Sequence, residues 1–137
     1  MLPRPARLHR SSDFGETVRT GARAGRPLLV VHLAVVSAQD SSAHRSRPGD
    51  SPRAGFVVSK AVGNSVVRHR VARRLRHLMA PRLVELPAGA DVVVRALPAA
   101  AQASSEALAA DLDGALRSAL RKAEARDQAA AAAGAPS

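Results

Sequence analysis

From Lys60 to Arg76 the sequence holds five arginines, one lysine and one histidine without a carboxylate, and the acid-free stretch runs on to Arg82. A guanidinium presents five N–H donors in a planar fork that matches phosphate oxygens, and it keeps its charge at any physiological pH. The chemistry on offer is therefore capture of an anion rather than proton transfer. His69 and His77 have the residue type for an acid–base pair, but on a helix their separation in sequence sets them roughly 12 Å apart along the axis. That is too far to serve one reacting group.

These side chains need an element to carry them. Gly55 to Val62, with Phe56, Val57, Val58 and Val62, reads as a strand that stops at the turn signal Gly63-Asn64. A helix follows, with either Asn64 or Ser65 as its N-cap, and with Val67, Val71, Leu75, Leu78 and Met79 on one apolar face. At about 100° per residue, His69, Arg73 and Arg76 fall opposite that face. Arg70 and His77 lie beside them, and Arg68 and Arg74 on the flanks. Ala80-Pro81 marks either the end of the helix or a kink. With no acid between them, i,i+4 ion pairing cannot account for these cations. The free N–H groups of the helix start add a place for a phosphate near Gly63, Asn64 and Ser65, within reach of Lys60 and Arg68.

Length and composition narrow the classes further. A chain of 137 residues, 46% hydrophobic, suits one domain, and with Phe14 and Phe56 its only aromatics the core must be aliphatic. A net charge of +10 points to a polyanion, nucleic acid first and an anionic membrane surface second. There is no cysteine, so disulfides, thiol nucleophiles and cysteine metal sites are excluded. No phosphate loop, His-Glu-x-x-His or nucleophile elbow is present, and the carboxylates are scattered, so neither a catalytic nor a metal-binding set is expected in the protein. The N-terminus lacks the apolar core of a secretory signal, and Leu28–Val36 is too short to span a bilayer; a soluble, cytoplasmic protein is expected. The basic helix follows a strand with no partner helix before it, which disfavours DNA binding by a helix-turn-helix.

The other elements follow in order. Residues 1–10 form a basic arm, lying on RNA or disordered. Ser11 to Gly21 is a short helix with a capping box from Asp13 to Glu16, and Phe14 and Val18 stand one turn apart. Arg23 through LLVVHLAVV is a strand with Leu29, Val31, Leu33 and Val35 on its apolar face, and His32 on the less buried one. Gln39 to Arg53 leads back to the Gly55 strand as a hairpin connection. Asp91–Arg95 is a short buried strand. Ser104–Arg126 is an amphipathic helix whose charges, Asp111 and Asp113 among them, suit its own dipole, and residues 127–137 are a disordered alanine-rich tail. The single domain spans 11–126.

The segment Ser59-Lys60-Ala61-Val62-Gly63-Asn64-Ser65-Val66-Val67-Arg68-His69-Arg70-Val71-Ala72-Arg73-Arg74-Leu75-Arg76 resembles the signature of the bacterial ribonuclease P protein subunit. That signature is a strand ending in Ser-Lys-Lys, then Val-Gly-Asn, an apolar step, Arg-Asn-Arg, and a helix with Lys-Arg and a further Arg. Ala61, His69 and Ala72 depart from it, and Arg74 adds a charge on another side. Asp13-Phe14 also matches the family's first helix, whereas Val18 stands where Phe is usual.

The resemblance implies an α+β fold, a small α/β sandwich of αβββαβα type with a central mixed sheet and a left-handed βαβ crossover. It implies a protein subunit of an endoribonuclease that removes the 5′ leader of precursor tRNA, with the chemistry done by the catalytic RNA and Mg²⁺ held mainly by that RNA. Lys60, Asn64, Arg68, His69, Arg70, Arg73 and Arg76 would contact the RNA, and Phe14, Val18 and His32 would line a cleft for the leader. For Phe14 a core contact is the other reading, and for His32 a half-exposed sheet position. A general or ribosome-associated RNA-binding protein without a role in cleavage is the alternative function.

Overall fold

Ala90–Ala96, ADVVVRA, is the strand with apolar side chains to spare on both faces, and such a strand belongs in the middle of a sheet. The computed structural model, which describes residues 11–35 and 51–134, places it there. The elements run α1 (Ser11–Thr20), β1 (Ala22–Gly25), β2 (Leu29–Val35), β3 (Arg53–Val57), α2 (Ser65–Leu83), β4 (Ala90–Ala96), a 3-10 turn (Pro98–Gln102) and α3 (Ser105–Gly134). The expected basic arm, residues 36–50 and the last three residues lie outside the described residues.

The sheet order is β1-β2-β4-β3. β1 pairs antiparallel with β2, β2 antiparallel with β4, and β3 parallel with β4. This is the mixed α+β sandwich that the resemblance implies. Two sequence expectations are corrected. The single strand from Arg23 is two strands, folded back at Arg26–Leu28, where the Arg26 N–H donates to the Leu29 carbonyl. The hairpin between β2 and the Gly55 strand does not exist, because the more apolar β4 inserts between them.

Register assigns the faces. Ala22 and Ala24 of β1, Leu29, Val31 and Leu33 of β2, Val92 and Val94 of β4, and Ala54 of β3 share one face and form the core with Val71, Leu75, Met79 and Leu83 of α2 and Leu108, Leu112, Ala115 and Ala119 of α3. The i, i+4, i+7, i+11 spacing on α3 is the stripe that a sheet-packed helix requires. Two carboxylates ascribed to the dipole of α3 instead make tertiary ties. Asp111 accepts from the Leu28 N–H at 3.0 Å, and Asp113 accepts from the Arg82 guanidinium, joining α3 to α2. The pair holds the Asp113 carboxyl below its usual range, first through that hydrogen bond.

Helix ends differ from the sequence reading for identifiable reasons. α2 runs through Pro81 to Leu83, and the Arg82 side chain donates to the Leu78 carbonyl beside the proline. α3 continues to Gly134, past the expected limit at Arg126, because alanine has the highest helix propensity. Where its buried stripe passes the sheet, Lys122 donates to the Arg23 carbonyl at 2.7 Å and Arg126 to the Thr20 carbonyl at 3.3 Å.

α1 lies across the opposite sheet face. Its Thr17 is buried, and the tip of the Phe14 ring rests on Gly55 of β3, where any Cβ would overlap it. Gly55→Ala should therefore cost about 1–3 kcal/mol through overpacking, read by urea denaturation. Shortening the opposing ring with Phe14→Leu should recover part of that loss in the double variant. Simple additivity would mean that the two sites do not touch.

Candidate nucleic-acid interface

Asn64 settles the start of α2: it is the N-cap, and its side-chain oxygen accepts from the Val67 N–H at 3.0 Å. The preceding strand ends at Val57, not Val62. Residues 58–63 turn instead, with the Val62 N–H bonded to the Ser59 carbonyl and the Gly63 N–H to that of Lys60. Val62 is buried in the core and plugs this turn down, which leaves Lys60 exposed at the mouth of the helix. Gly63 is required by close approach, since a Cβ there would sit 2.9 Å from the Val67 side chain. No acidic residue occupies the first turn of α2.

With Val71, Leu75, Met79 and Leu83 buried, the expected basic face is turned outward. His69, Arg70, Arg73 and His77 are exposed, and Arg68, Arg74 and Arg76 half-buried. The structure divides them between two shallow grooves. One runs between β3 and α2, lined by Phe56, Val58, Arg68, His69, Ala72 and Arg76. The other lies on the far flank, lined by Arg70, Arg73, Arg74, His77, Leu78 and Ser105. Arg74 is committed to the fold, donating to the Ala103 carbonyl at 3.2 Å. Arg68 Nε is sealed from solvent with no hydrogen-bond partner among the described residues. Among these residues no carboxylate bonds to Lys60, Arg68, Arg70, Arg73 or Arg76, so their donors stay available.

Phe14, Val18 and His32 lie elsewhere, on the α1 side of the sheet, with Phe14 over β3, Val18 exposed on α1 and His32 on β2. β3 separates the two regions by its alternation, sending Gly55 under Phe14 and Phe56 into the groove beside α2. Phe14 is half-buried, as a core contact would have it, while Val18 is 42% exposed on α1. His32 is only 6% exposed, which corrects the half-exposed position read from strand alternation. The alternation chose the right face, but α1 covers it. Burial holds the imidazole below its ordinary 6.5, helped by the charges of Arg23 and Arg95, and Nδ1 has no hydrogen-bond partner among the described residues. Those two arginines were not singled out from the sequence. Only the strand register reveals that Arg23 pairs with His32 and that Arg95 pairs with its near neighbour Val30.

No group of three or more His, Asp or Glu that could hold a metal ion occurs among the described residues. The cationic donors of α2 do not suit a divalent ion held by protein alone. No helix among the described residues is long and apolar enough to cross a membrane.

The model of the family described as Ribonuclease P matches residues 2–120. The chain belongs to the ribonuclease P protein family. It is 56% identical to the ribonuclease P protein component of Streptomyces avermitilis over 120 residues, covering 85% of this chain and 94% of that one. It is 54% identical to that of Nocardia farcinica over 134 residues, covering 89% and 83%. The RNase P protein of Staphylococcus aureus shares the fold with a TM-score of 0.67 at 22% identity, over 82% of this chain and 93% of that one. The RNase P protein of Thermotoga maritima does so with a TM-score of 0.62 at 20% identity, over 79% and 92%. Membership makes the chain the protein component of an endoribonuclease of tRNA 5′ processing.

The lowered titration of His32 has a defined sign. Between its folded value and 6.5 the unfolded chain binds more protons, so the stability gained from keeping the imidazole neutral is full above 6.5 and is lost as pH falls. Urea melts at pH 7.5 and 5.5 should show the protein losing more stability than a His32→Phe variant does. Parallel losses would mean that His32 is not the group responsible.

Proposed function

We propose that the protein binds the catalytic RNA of ribonuclease P through α2 and its N-terminal turn, and holds the 5′ leader of precursor tRNA between α1 and the sheet. The observation that carries this reading is the acid-free cation surface of α2, displayed beside a helix start with no acidic residue in its first turn. Lys60, Arg68, Arg70, Arg73 and Arg76 are the phosphate contacts. His69 offers a hydrogen-bonding ring between Arg68 and Arg70, and Asn64 acts chiefly by fixing the turn, its side-chain oxygen being used as the cap. Phe14, Val18 and His32 belong to the leader cleft.

The RNA subunit performs the hydrolysis. Mg²⁺, held by RNA phosphates, supplies the metal-ion chemistry there, and the protein's part is to neutralise charge where two RNAs approach. Lysine and arginine replace counterions that would otherwise have to be gathered, so substrate affinity rises and the Mg²⁺ requirement falls. The setting is the cytoplasm.

The test is cleavage of a leader-bearing precursor tRNA by the host's catalytic RNA at low Mg²⁺, with and without the protein and beside a protein-only control. Stimulation only when both are present supports the subunit reading. Tight RNA binding without stimulation would favour a general RNA-binding protein, and cutting by the protein alone would overturn both. Arg68→Gln and Arg73→Gln should each weaken assembly and flatten its log–log salt dependence by about 0.9 per lost phosphate contact. Unchanged slopes in both variants would remove α2 from the interface.

A further inference from the structure

The leader-cleft reading leaves open how a cleft with so few aromatic residues would grip a single strand. Sequence-tolerant binding of single strands ordinarily combines a cationic track with aromatic faces on which bases stack. Here the stacking half is reduced to one half-buried ring. The Phe14 ring tip is spent against Gly55, Phe56 faces the α2 groove on the other side of the sheet, and the exposed position one turn beyond Phe14 is Val18.

The cationic half is present. Arg23 on β1 and Arg95 on β4 flank β2 on the face that carries His32, in register with His32 and Val30 respectively. Both are exposed, and among the described residues neither guanidinium has a hydrogen-bond partner. The Arg23 contact to Lys122 uses its backbone carbonyl, not its side chain. Two strand spacings and a two-residue stagger put their Cα atoms about 12 Å apart. The charged groups around them do not neutralise the pair. Asp91 is buried at the other end of this face in a two-pronged pair with Arg53, both contacts at 3.0 Å. α1 brings Arg19 and a single described carboxylate, Glu16, which is half-buried and itself engaged. Between the two arginines sits His32, nine-tenths buried, with Nδ1 unpartnered among the described residues.

We propose that Arg23 and Arg95 are the phosphate contacts of the leader, placed on either side of His32 so that this cleft holds the strand by charge, without base stacking. The proposal rests on the leader-cleft reading and sharpens it. Its consequence is a leader contribution to affinity that is steeply salt-dependent and indifferent to base identity.

The experiment measures binding of precursor tRNA to the reconstituted holoenzyme across a salt series, with leader-bearing and leaderless substrates and with leaders of all-U, all-A or all-C. For the unaltered protein, the leader should tighten binding by a similar factor for all three sequences. In the Arg23→Gln/Arg95→Gln double variant, the leader-dependent part should fall by tenfold or more. Its log–log salt slope should drop by about 1.4, two contacts at roughly 0.7 each on a single strand. Affinity for the leaderless substrate and for the catalytic RNA should stay unchanged, and Arg23→Lys/Arg95→Lys should restore the slope.

A leader-dependent slope that survives the glutamine pair overturns the proposal and leaves the cleft reading standing. A preference of tenfold or more among the three leaders, lost on changing Val18 or His32 and not the arginines, overturns it in favour of base recognition. A leader that adds no affinity with the unaltered protein overturns the cleft reading itself.

Discussion

Like charges repel along α2, and the rest of the structure is arranged around keeping that helix folded without neutralising it. Each like-charged i,i+3 or i,i+4 pair on an exposed face costs about 0.2–0.5 kcal/mol. Each of the buried side chains Val71, Leu75, Met79 and Leu83 contributes about 1.5–3 kcal/mol on leaving water. Burial wins by a wide margin, so the helix needs no acidic partners on its outer surface. Two carboxylates that do make ion pairs lie elsewhere, Asp91 with Arg53 where β4 meets β3 and Asp113 with Arg82 at the far end of α2. Among the described residues no carboxylate takes up the cationic donors at the start and along the outer side of α2.

The edge strand β3 gives this arrangement its second surface. In five residues it backs the groove beside α2 with Phe56 and seats α1 on Gly55. A glycine is needed because helix and sheet approach there more closely than a side chain permits. The two candidate surfaces are thus opposite sides of one strand, with only the edge of the sheet between them.

Much of this was legible in the residues. α2 and its start to within one residue were, because period, breaker and charge all agree over a long stretch, although the choice of Asn64 over Ser65 as cap needed the structure; the two faces of β2 followed from simple alternation. The sheet order was not, since nothing in β2 or β3 says that a strand made later will come between them. Alternation put His32 on the correct face but could not say that α1 would cover that face. Arg23 and Arg95 read singly as ordinary strand-edge charges, and only pairing across β2 makes them neighbours. Asp111 and Asp113 looked like dipole partners because their true partners, the Leu28 N–H and Arg82, are distant in sequence. The local period of α3 was plain, yet its length was misjudged where alanine takes over from the amphipathic pattern.

The position of β4 also bears on how the molecule is made. Synthesis runs from the N-terminus at about 5–20 residues per second, and β2, β3 and α2 all precede the strand that joins them. Until Ala90–Ala96 emerges, α2 has no sheet to cover its apolar stripe while its arginines are already outside the ribosome. The contacts of Lys122 with β1 and of Arg126 with the end of α1 close later still, across almost the whole chain. The nascent protein therefore passes through a stage in which its cationic α2 segment is present without the sheet that keeps it folded, close to the ribosome's own RNA. The long-range closure that completes the sheet is also what ends that exposure.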